Sequence, residues 1–213
     1  MIKNFKETES FIFDMDGTIV DSSEAMCKSI NFVRKNIGLK PVAKEFLEYH
    51  INKPDENLPM IFYETPEYKK EHREMFKKHY LENAPKYIKL YDGIEELLDF
   101  LSKKSKMYVA TNAYDYFAIN MLESLGIADF FDMVVGANCV KKPKPDAEMI
   151  NMILKKGLHV KEKTVFVGDS TKDMLSAKNA GVEFIYAKWG YCEFDYEGIK
   201  TDSPKDIISL FDS

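Results

Sequence analysis

Two carboxylates, one residue apart, follow a short apolar run near the start of the chain. The run is Phe11-Ile12-Phe13, and the acids are Asp14 and Asp16, with Gly17 directly behind them. A continuous apolar run is typical of a strand buried on both faces of a parallel sheet, and ligands bind where such strands end. Because two acids this close repel each other, either a cation shares their site or one of them carries a proton. A divalent metal such as Mg²⁺, held by a few carboxylates and a substrate phosphate, meets this requirement.

The same spacing has less specific explanations. Asp-x-Asp-Gly also occurs in turns and in calcium-binding loops. A calcium loop needs further oxygen ligands and a closing glutamate; Glu24 is near, but Ile19 and Val20 fill the intervening positions with apolar side chains. The buried strand before the acids also argues against a helix-flanked calcium loop. Taken alone, the motif is more often part of a turn or a calcium loop than a catalytic site, so its interpretation depends on the rest of the chain.

The length and composition are typical of a globular protein. The sequence has 213 residues, of which 45% are hydrophobic and 31% charged, with a net charge of −5. We expect one core with a small insertion, no nucleic-acid partner and no membrane partner. The polar first ten residues predict that there is no signal peptide, and three widely separated cysteines predict a reducing, cytoplasmic location. The oligomeric state is not readable from the sequence.

The order of predicted elements divides the chain. Residues 21–84 contain helical patterns only, whereas strands and helices alternate from Asp92 onward. The helices predicted in the first of these segments are Ser23–Ile37, Val42–Tyr49, Asp55–Tyr63 and Pro66–Leu81. Strand–helix alternation with short loops predicts an α/β fold, a doubly wound parallel sheet. We therefore expect an α/β catalytic core from residues 1–20 and 85–213, interrupted by an all-helical cap domain at 21–84.

Polar residues follow the predicted core strands where those strands end. Asp14 follows the first strand, Thr111-Asn112 the second and Gly168-Asp169 the fourth, while a basic loop, 141–146, follows the third. The carboxyl ends of parallel strands share one edge, so a carboxylate, a hydroxyl, an ammonium group and an acidic metal ligand should converge. This set of groups suits phosphoryl transfer. Taken singly, Thr111 also suits a turn, Asn112 a helix cap, and the lysines an exposed loop.

Four motifs in this order resemble those of the haloacid dehalogenase superfamily, whose members are mostly phosphatases. They are Asp14-Met15-Asp16-Gly17-Thr18, Thr111-Asn112, Lys142-Pro143-Lys144-Pro145 and Gly168-Asp169-Ser170-x-x-Asp173. Residues 182–191, ending in Trp-Gly-Tyr, resemble the phosphoglycolate phosphatase branch. The resemblance covers nearly the whole chain and implies the superfamily's sheet with a helical cap.

The resemblance also implies the roles of the acidic residues. Asp14 would be the nucleophile that forms an aspartyl-phosphate, and Asp16 would protonate the leaving oxygen and then deprotonate the attacking water. Mg²⁺ would be bound by Asp14, Asp169 and the backbone carbonyl of Asp16. Asp173 would support the metal or the lysine, and it also suits a capping box with Ser170.

The remaining implied contacts are with the substrate. Thr111, Asn112 and Lys142 would bind its phosphate group, with Lys144 the second choice for the active-site lysine. The Lys142–Pro143 peptide bond is predicted to be cis. In the cap, the polar loop His50–Pro54 is predicted to select the substrate, with His50, Asn52 and Lys53 as its polar residues. Lys53 would meet a distal anionic group, although a solvated surface lysine is the more usual case.

These expectations predict a Mg²⁺-dependent phosphatase acting on a small phosphorylated metabolite, either phosphoglycolate-like or a sugar phosphate. A phosphosugar mutase of the same superfamily is the alternative, because it needs the same Asp14 and Asp16. At the fourth motif, mutases of the superfamily resemble one another in having Glu-Asp, whereas this chain has Gly168-Asp169. This difference favours the phosphatase. Dehalogenation is disfavoured, since relatives with that activity lack the second aspartate. A phosphonatase would need a cap lysine of lowered pKa, and a non-catalytic binding module would not need all four motifs.

Overall fold

The computed structural model describes residues 5–51, 53 and 56–211. The chain forms two compact units. The first combines Met1–Val20 with Leu90–Ser213, and the second is Asp21–Lys89. Among the described residues, no helix combines the length and the apolar character that crossing a bilayer requires.

The first unit is built on a parallel sheet, which confirms the predicted α/β class. In the described part of the chain, the sheet has six strands: β1 (Ser10–Phe13), β4 (Lys106–Ala110), β5 (Met133–Val135), β6 (Thr164–Gly168), β7 (Glu183–Ala187) and β8 (Ile199–Thr201). Their order is β5-β4-β1-β6-β7-β8, and neighbouring strands pair in parallel. Two further short strands, β2 (Val20–Asp21) and β3 (Lys89–Leu90), form a separate two-stranded sheet.

Strand β1 lies at the centre of the large sheet, between β4 and β6. The chain extends the sheet in one direction through β4 and β5, then returns to add β6 on the other side of β1. The boundary between β1 and β6 is therefore the topological switch point, where open α/β sheets bind ligands. Asp14 and Asp169 directly follow these two strands, so the strand order brings both acids to this position.

Helices cover both faces of the sheet. They are α5 (Ile94–Ser102), α6 (Asp115–Ser124), α7 (Glu148–Gly157), α8 (Thr171–Ala180) and α9 (Pro204–Ser209). Ile12 packs with residues of α7 and α8 in one apolar cluster. Phe11 and Phe13 point the other way, and the ring of Phe11 lies 6.0 Å from that of Phe211. Alternate residues of β1 thus enter different halves of the core, as a strand buried on both faces requires.

The second unit is helical. Its helices are α1 (Ser23–Asn36), α2 (Lys44–Ile51), α3 (Leu58–Tyr63) and α4 (Lys70–Asn83). Helix α3 begins later than predicted because the side chain of Asn57 accepts a hydrogen bond from the Met60 N–H, 3.2 Å away, and so caps it. The guanidinium of Arg34 is buried among the helices and donates to the carbonyl oxygens of Lys40 and Phe62, each at 2.6 Å.

Candidate active site

A tight turn places the two acids at the end of β1. The N–H groups of Thr18, Ile19 and Val20 all donate to the carbonyl oxygen of Met15, at 3.2, 2.9 and 2.9 Å. Gly17 has a φ angle of +89°, which favours glycine. Asp14 itself is still held by the sheet, since its N–H donates to the Val167 carbonyl at 2.8 Å. The turn leaves Asp14 buried and Asp16 partly exposed.

Lys144 is the lysine of this site. Its ammonium nitrogen lies 2.6 Å from Asp14 Oδ1 and 2.7 Å from Asp173 Oδ1, and 3% of its side chain is exposed. The side chain thus links the end of β1 with helix α8, through ion pairs that are almost entirely shielded from water.

The prediction that Lys142 would hold Asp14 is therefore wrong. Lys142 is exposed, and its backbone N–H donates to Glu148 Oε2 at 2.8 Å. Two Lys-Pro pairs follow each other here, and only the burial of one lysine distinguishes them. The cis peptide bond is also one pair further along than predicted, at Lys144–Pro145.

The residues after β4 contact the lysine loop. Asn112 Nδ2 donates to the Lys144 carbonyl at 2.9 Å, and Asn112 Oδ1 accepts from the Lys144 N–H at 3.0 Å. This contact differs from the predicted one with a substrate phosphate. Thr111 is buried, and its Oγ1 accepts from the Ala113 N–H at 3.1 Å. Within the described part of the chain, its hydroxyl proton has no acceptor.

Asp169 is held between two loops. Its Oδ2 accepts from the Tyr191 N–H at 2.8 Å, and its Oδ1 accepts from Thr18 Oγ1 at 3.4 Å. A Cβ atom on Gly190 would lie 2.3 Å from Asp169 Cβ, and one on Gly17 would lie 2.5 Å from Asp169 Oδ2. Both glycines therefore permit an approach that a side chain would prevent.

Asp173 supports the lysine and also caps helix α8. Its Oδ2 accepts from Ser170 N–H at 3.0 Å and from Ser170 Oγ at 2.5 Å, while its own N–H donates to Ser170 Oγ at 3.4 Å. This reciprocal arrangement is a capping box. Both oxygens of Asp173 thus have protein donors, Lys144 for Oδ1 and Ser170 for Oδ2.

The site carries more negative than positive charge. Burial and the nearby Asp173 raise the pKa of Asp14 well above its ordinary value, against the lowering effect of Lys144. Burial and Asp173 likewise raise the pKa of Asp169 to about 7. Burial would lower the pKa of Lys144, but the carboxylates of Asp14 and Asp173 outweigh it and raise that pKa. The lysine therefore stays charged beside crowded acids.

This arrangement fits a divalent metal ion. Carboxylate oxygens of Asp14, Asp169 and Asp173 lie within 4.8 Å of one another, and all three residues are buried. One ammonium group cannot balance three carboxylates, so a second cation would relieve the repulsion. Oxygen donors without sulfur or imidazole favour a hard cation such as Mg²⁺. Asp14 and Asp169 are the carboxylates that would hold it.

The predicted cap residues contact one another through Glu56. The imidazole Nδ1 of His50 bonds Glu56 Oε2, and Lys53 Nζ lies 3.5 Å from Glu56 Oε1. Lys53 Nζ also lies 3.3 Å above the ring of Tyr49. Asn52 and Pro54 of the predicted loop lie outside the described residues. Substrate contact by His50 and Lys53 stays a prediction.

Sequence reasoning missed the structural role of the Trp189-Gly190-Tyr191 segment. The Trp189 indole N–H donates to the Thr18 carbonyl at 2.9 Å, so this segment contacts both the turn after β1 and Asp169. A glycine between two aromatic residues after a strand was the available signal, but it does not indicate which distant loop the segment will contact.

Comparison with known proteins agrees with this geometry. The haloacid dehalogenase-like hydrolase family matches residues 11–187. The phosphoglycolate phosphatase of Aquifex aeolicus (strain VF5) is 28% identical over 205 residues, covering 95% of this chain and 96% of that protein. The phosphorylated carbohydrates phosphatase of Thermotoga maritima is 33% identical over 184 residues, covering 84% of each chain.

A solved structure extends the agreement to the fold. A candidate phosphatase from Clostridium difficile superposes with a TM-score of 0.83 at 27% identity, covering 98% of this chain and 99% of that one. The match of residues 11–187 includes Asp14, Thr111, Lys144 and Asp169. The chain therefore belongs to the haloacid dehalogenase-like hydrolase family.

Proposed function

We propose that this hydrolase is a Mg²⁺-dependent phosphatase that cleaves a small phosphorylated metabolite through an aspartyl-phosphate on Asp14. The observation that carries the proposal is the ion pair of 2.6 Å between Asp14 and the buried Lys144, at the switch point of the sheet. The relatives named above support a phosphoglycolate-like or sugar phosphate substrate.

The first half of the reaction transfers the phosphoryl group. A carboxylate oxygen of Asp14 attacks phosphorus, and the bond to the leaving oxygen breaks as Asp16 protonates that oxygen. Asp16 suits this role because it is the more exposed acid of the pair. Thr111 donates its unused hydroxyl proton to a phosphate oxygen, and Lys144 holds Asp14 in place.

The second half hydrolyses the acyl phosphate. Asp16, now ionised, takes a proton from water, which attacks phosphorus and releases inorganic phosphate while Asp14 is regenerated. Mg²⁺ held by Asp14 and Asp169 would supply positive charge that offsets the repulsion of the carboxylate and the phosphate. In the free protein Lys144 carries its proton as the reaction begins, because the carboxylates of Asp14 and Asp173 raise its pKa.

Replacement of the nucleophile tests the proposal. We expect Asp14→Asn to lower turnover of an aryl phosphate by a factor of ~10³ or more, because an amide of the same size is not nucleophilic. Acid quenching of the wild-type enzyme with labelled substrate should trap label on the protein, and the variant should trap none. Circular dichroism verifies that the variant is folded.

Two results would contradict the proposal. One is near-normal turnover by folded Asp14→Asn. The other is conversion of a sugar phosphate into an isomeric sugar phosphate without net release of inorganic phosphate, which would indicate a mutase.

A further inference from the structure

Asn112 contacts both polar groups of a single backbone unit, that of Lys144. Its side-chain amide accepts from the Lys144 N–H at 3.0 Å and donates to the Lys144 carbonyl at 2.9 Å. A pair of bonds to the same residue opposes both translation of its Cα and rotation of its flanking peptides. Asn112 is itself anchored, because it follows Thr111, whose N–H donates to the Val135 carbonyl at 3.0 Å.

Other side chains bond to the backbone of the same loop, but within the described residues none of these bonds is to the backbone of Lys144. Glu148 accepts from the N–H groups of Lys141 and Lys142, at 3.1 and 2.8 Å. Asn179 donates to the Pro145 carbonyl at 3.0 Å. Among the described residues, Asn112 is therefore the side chain that fixes the backbone from which the buried ammonium group extends.

The position of that backbone matters because the ammonium group at the other end of the side chain is held by two contacts. Its nitrogen must lie 2.6 Å from Asp14 and 2.7 Å from Asp173 at once, in a site that is almost entirely shielded from water. A displacement of this backbone would change the lengths of these ion pairs, and a pair that lengthens leaves a buried carboxylate without its partner.

We infer that Asn112 is a positioning residue: its amide holds the backbone of Lys144 so that the ammonium group bridges Asp14 and Asp173. It acts through the lysine rather than on the substrate. The role rests on the proposed function only in its consequence for turnover, since the geometry concerns the free protein.

Nuclear magnetic resonance of the lysine ammonium groups tests the inference without substrate or metal. In the wild-type protein, the Lys144 ammonium protons should exchange slowly with water, because they are buried and bonded to carboxylates. We expect Asn112→Ala to accelerate that exchange about tenfold or more, as the loss of two ordinary hydrogen bonds allows. Asn179→Ala is the matched control, since it removes one amide bond to the next residue, and should change the rate less than about twofold.

Asn112→Asp adds a variant of nearly the same shape. It keeps an acceptor for the Lys144 N–H but sets an oxygen against the Lys144 carbonyl, so exchange should again accelerate. If Asn112→Ala does not fold, this variant tests whether Asn112 positions Lys144. Unchanged exchange in folded Asn112→Asp, or equal acceleration in Asn179→Ala, would overturn the inference.

Kinetics distinguish positioning from direct substrate binding. Positioning predicts that Asn112→Ala lowers kcat about tenfold or more along with the change in Lys144 exchange. A raised KM with Lys144 exchange unchanged would assign Asn112 to the substrate and refute the inference. If the wild-type protein releases no phosphate from any ester, the proposed function fails, but the exchange measurements still decide the role of Asn112.

Discussion

At the scale of single residues, burial determines which of several similar side chains takes part in the chemistry. Lys142 and Lys144 are two residues apart, each followed by proline, yet only Lys144 is buried and paired with two carboxylates. A charge is tolerated in that position only if it is matched by partners. The cluster therefore constrains both the lysine and the acids around it.

The two lysines give a matched pair of substitutions. Lys144→Met should lower kcat/KM for an aryl phosphate by about 10² or more and destabilise the protein by about 3–5 kcal/mol, because it leaves buried carboxylates unpaired. Lys142→Met removes the same charge from an exposed position and should change stability by less than about 0.5 kcal/mol. Urea unfolding and steady-state kinetics measure both. If the two variants lose equal activity, Lys144 is not the active-site lysine.

Asp169 should set the metal requirement. We expect chelation to abolish turnover, and Asp169→Asn to raise the Mg²⁺ concentration for half-maximal activity by about tenfold or more, because a neutral amide is a poorer ligand for a hard cation. Titration of activity with Mg²⁺ measures the shift. Asp206→Asn, in the first turn of α9, is the control and should leave this Mg²⁺ concentration unchanged. Full activity in excess chelator would disprove the metal requirement.

At the scale of elements, a loop following β7 is part of the site. Trp189 donates to the Thr18 carbonyl, Tyr191 donates to Asp169, and Gly190 lies against both Asp169 and the Gly17 carbonyl. The first of these contacts joins residues that lie 171 positions apart in the sequence. The loop therefore determines how Asp169 faces the turn that carries Asp14 and Asp16.

Substitution of Gly190 tests whether this loop positions Asp169. In Gly190→Ala, the new Cβ would meet Asp169 Cβ and the Gly17 carbonyl oxygen, each at 2.3 Å, so the loop must move. We expect Mg²⁺ affinity to fall about tenfold, as displaced supporting groups commonly cause. Titration calorimetry with Mg²⁺ measures that affinity.

A second glycine separates this effect from general destabilisation. Gly126 has a φ angle of +72°, and a Cβ atom added there would meet no atom of the described residues within 4 Å. Gly126→Ala should therefore destabilise the protein by about 1 kcal/mol through backbone strain and leave Mg²⁺ affinity unchanged. Equal Mg²⁺ affinity in the two alanine variants would contradict a specific role for the loop.

At the scale of the whole molecule, the two units contain different functional residues. The unit with the parallel sheet contains the charged cluster, to which we assign the reaction that all phosphate esters would share. The helical unit contains His50, Lys53 and Glu56, which form a connected polar group. We propose that this group selects the substrate. Under this proposal the Glu56 carboxylate, which pairs with Lys53, would compete with an anionic substrate for it.

Opposite substitutions test that proposal. Lys53→Ala should raise KM for a phosphate ester with a distal carboxylate about tenfold or more, and leave a neutral aryl phosphate nearly unaffected. Glu56→Gln should lower KM for the anionic ester, because Lys53 then loses its internal partner. Lys70→Ala, which removes an exposed charge paired with Glu74 in the same unit, is the control. Equal effects on both esters would indicate that Lys53 is a surface lysine without a role in substrate selection.

The sequence by itself determined the class of fold and the acids of the site. Apolar runs that end in Asp14 and Asp169 are local patterns, and strand–helix alternation restricts the sheet to a few topologies, so both could be predicted. Only the tertiary structure decided between Lys142 and Lys144, gave Asn112 its contact with the Lys144 backbone, and brought residues 189–191 to Asp169. Each of these depends on burial or on contacts between distant segments. Such contacts leave no periodic trace in the sequence, because a single side chain or backbone N–H makes them.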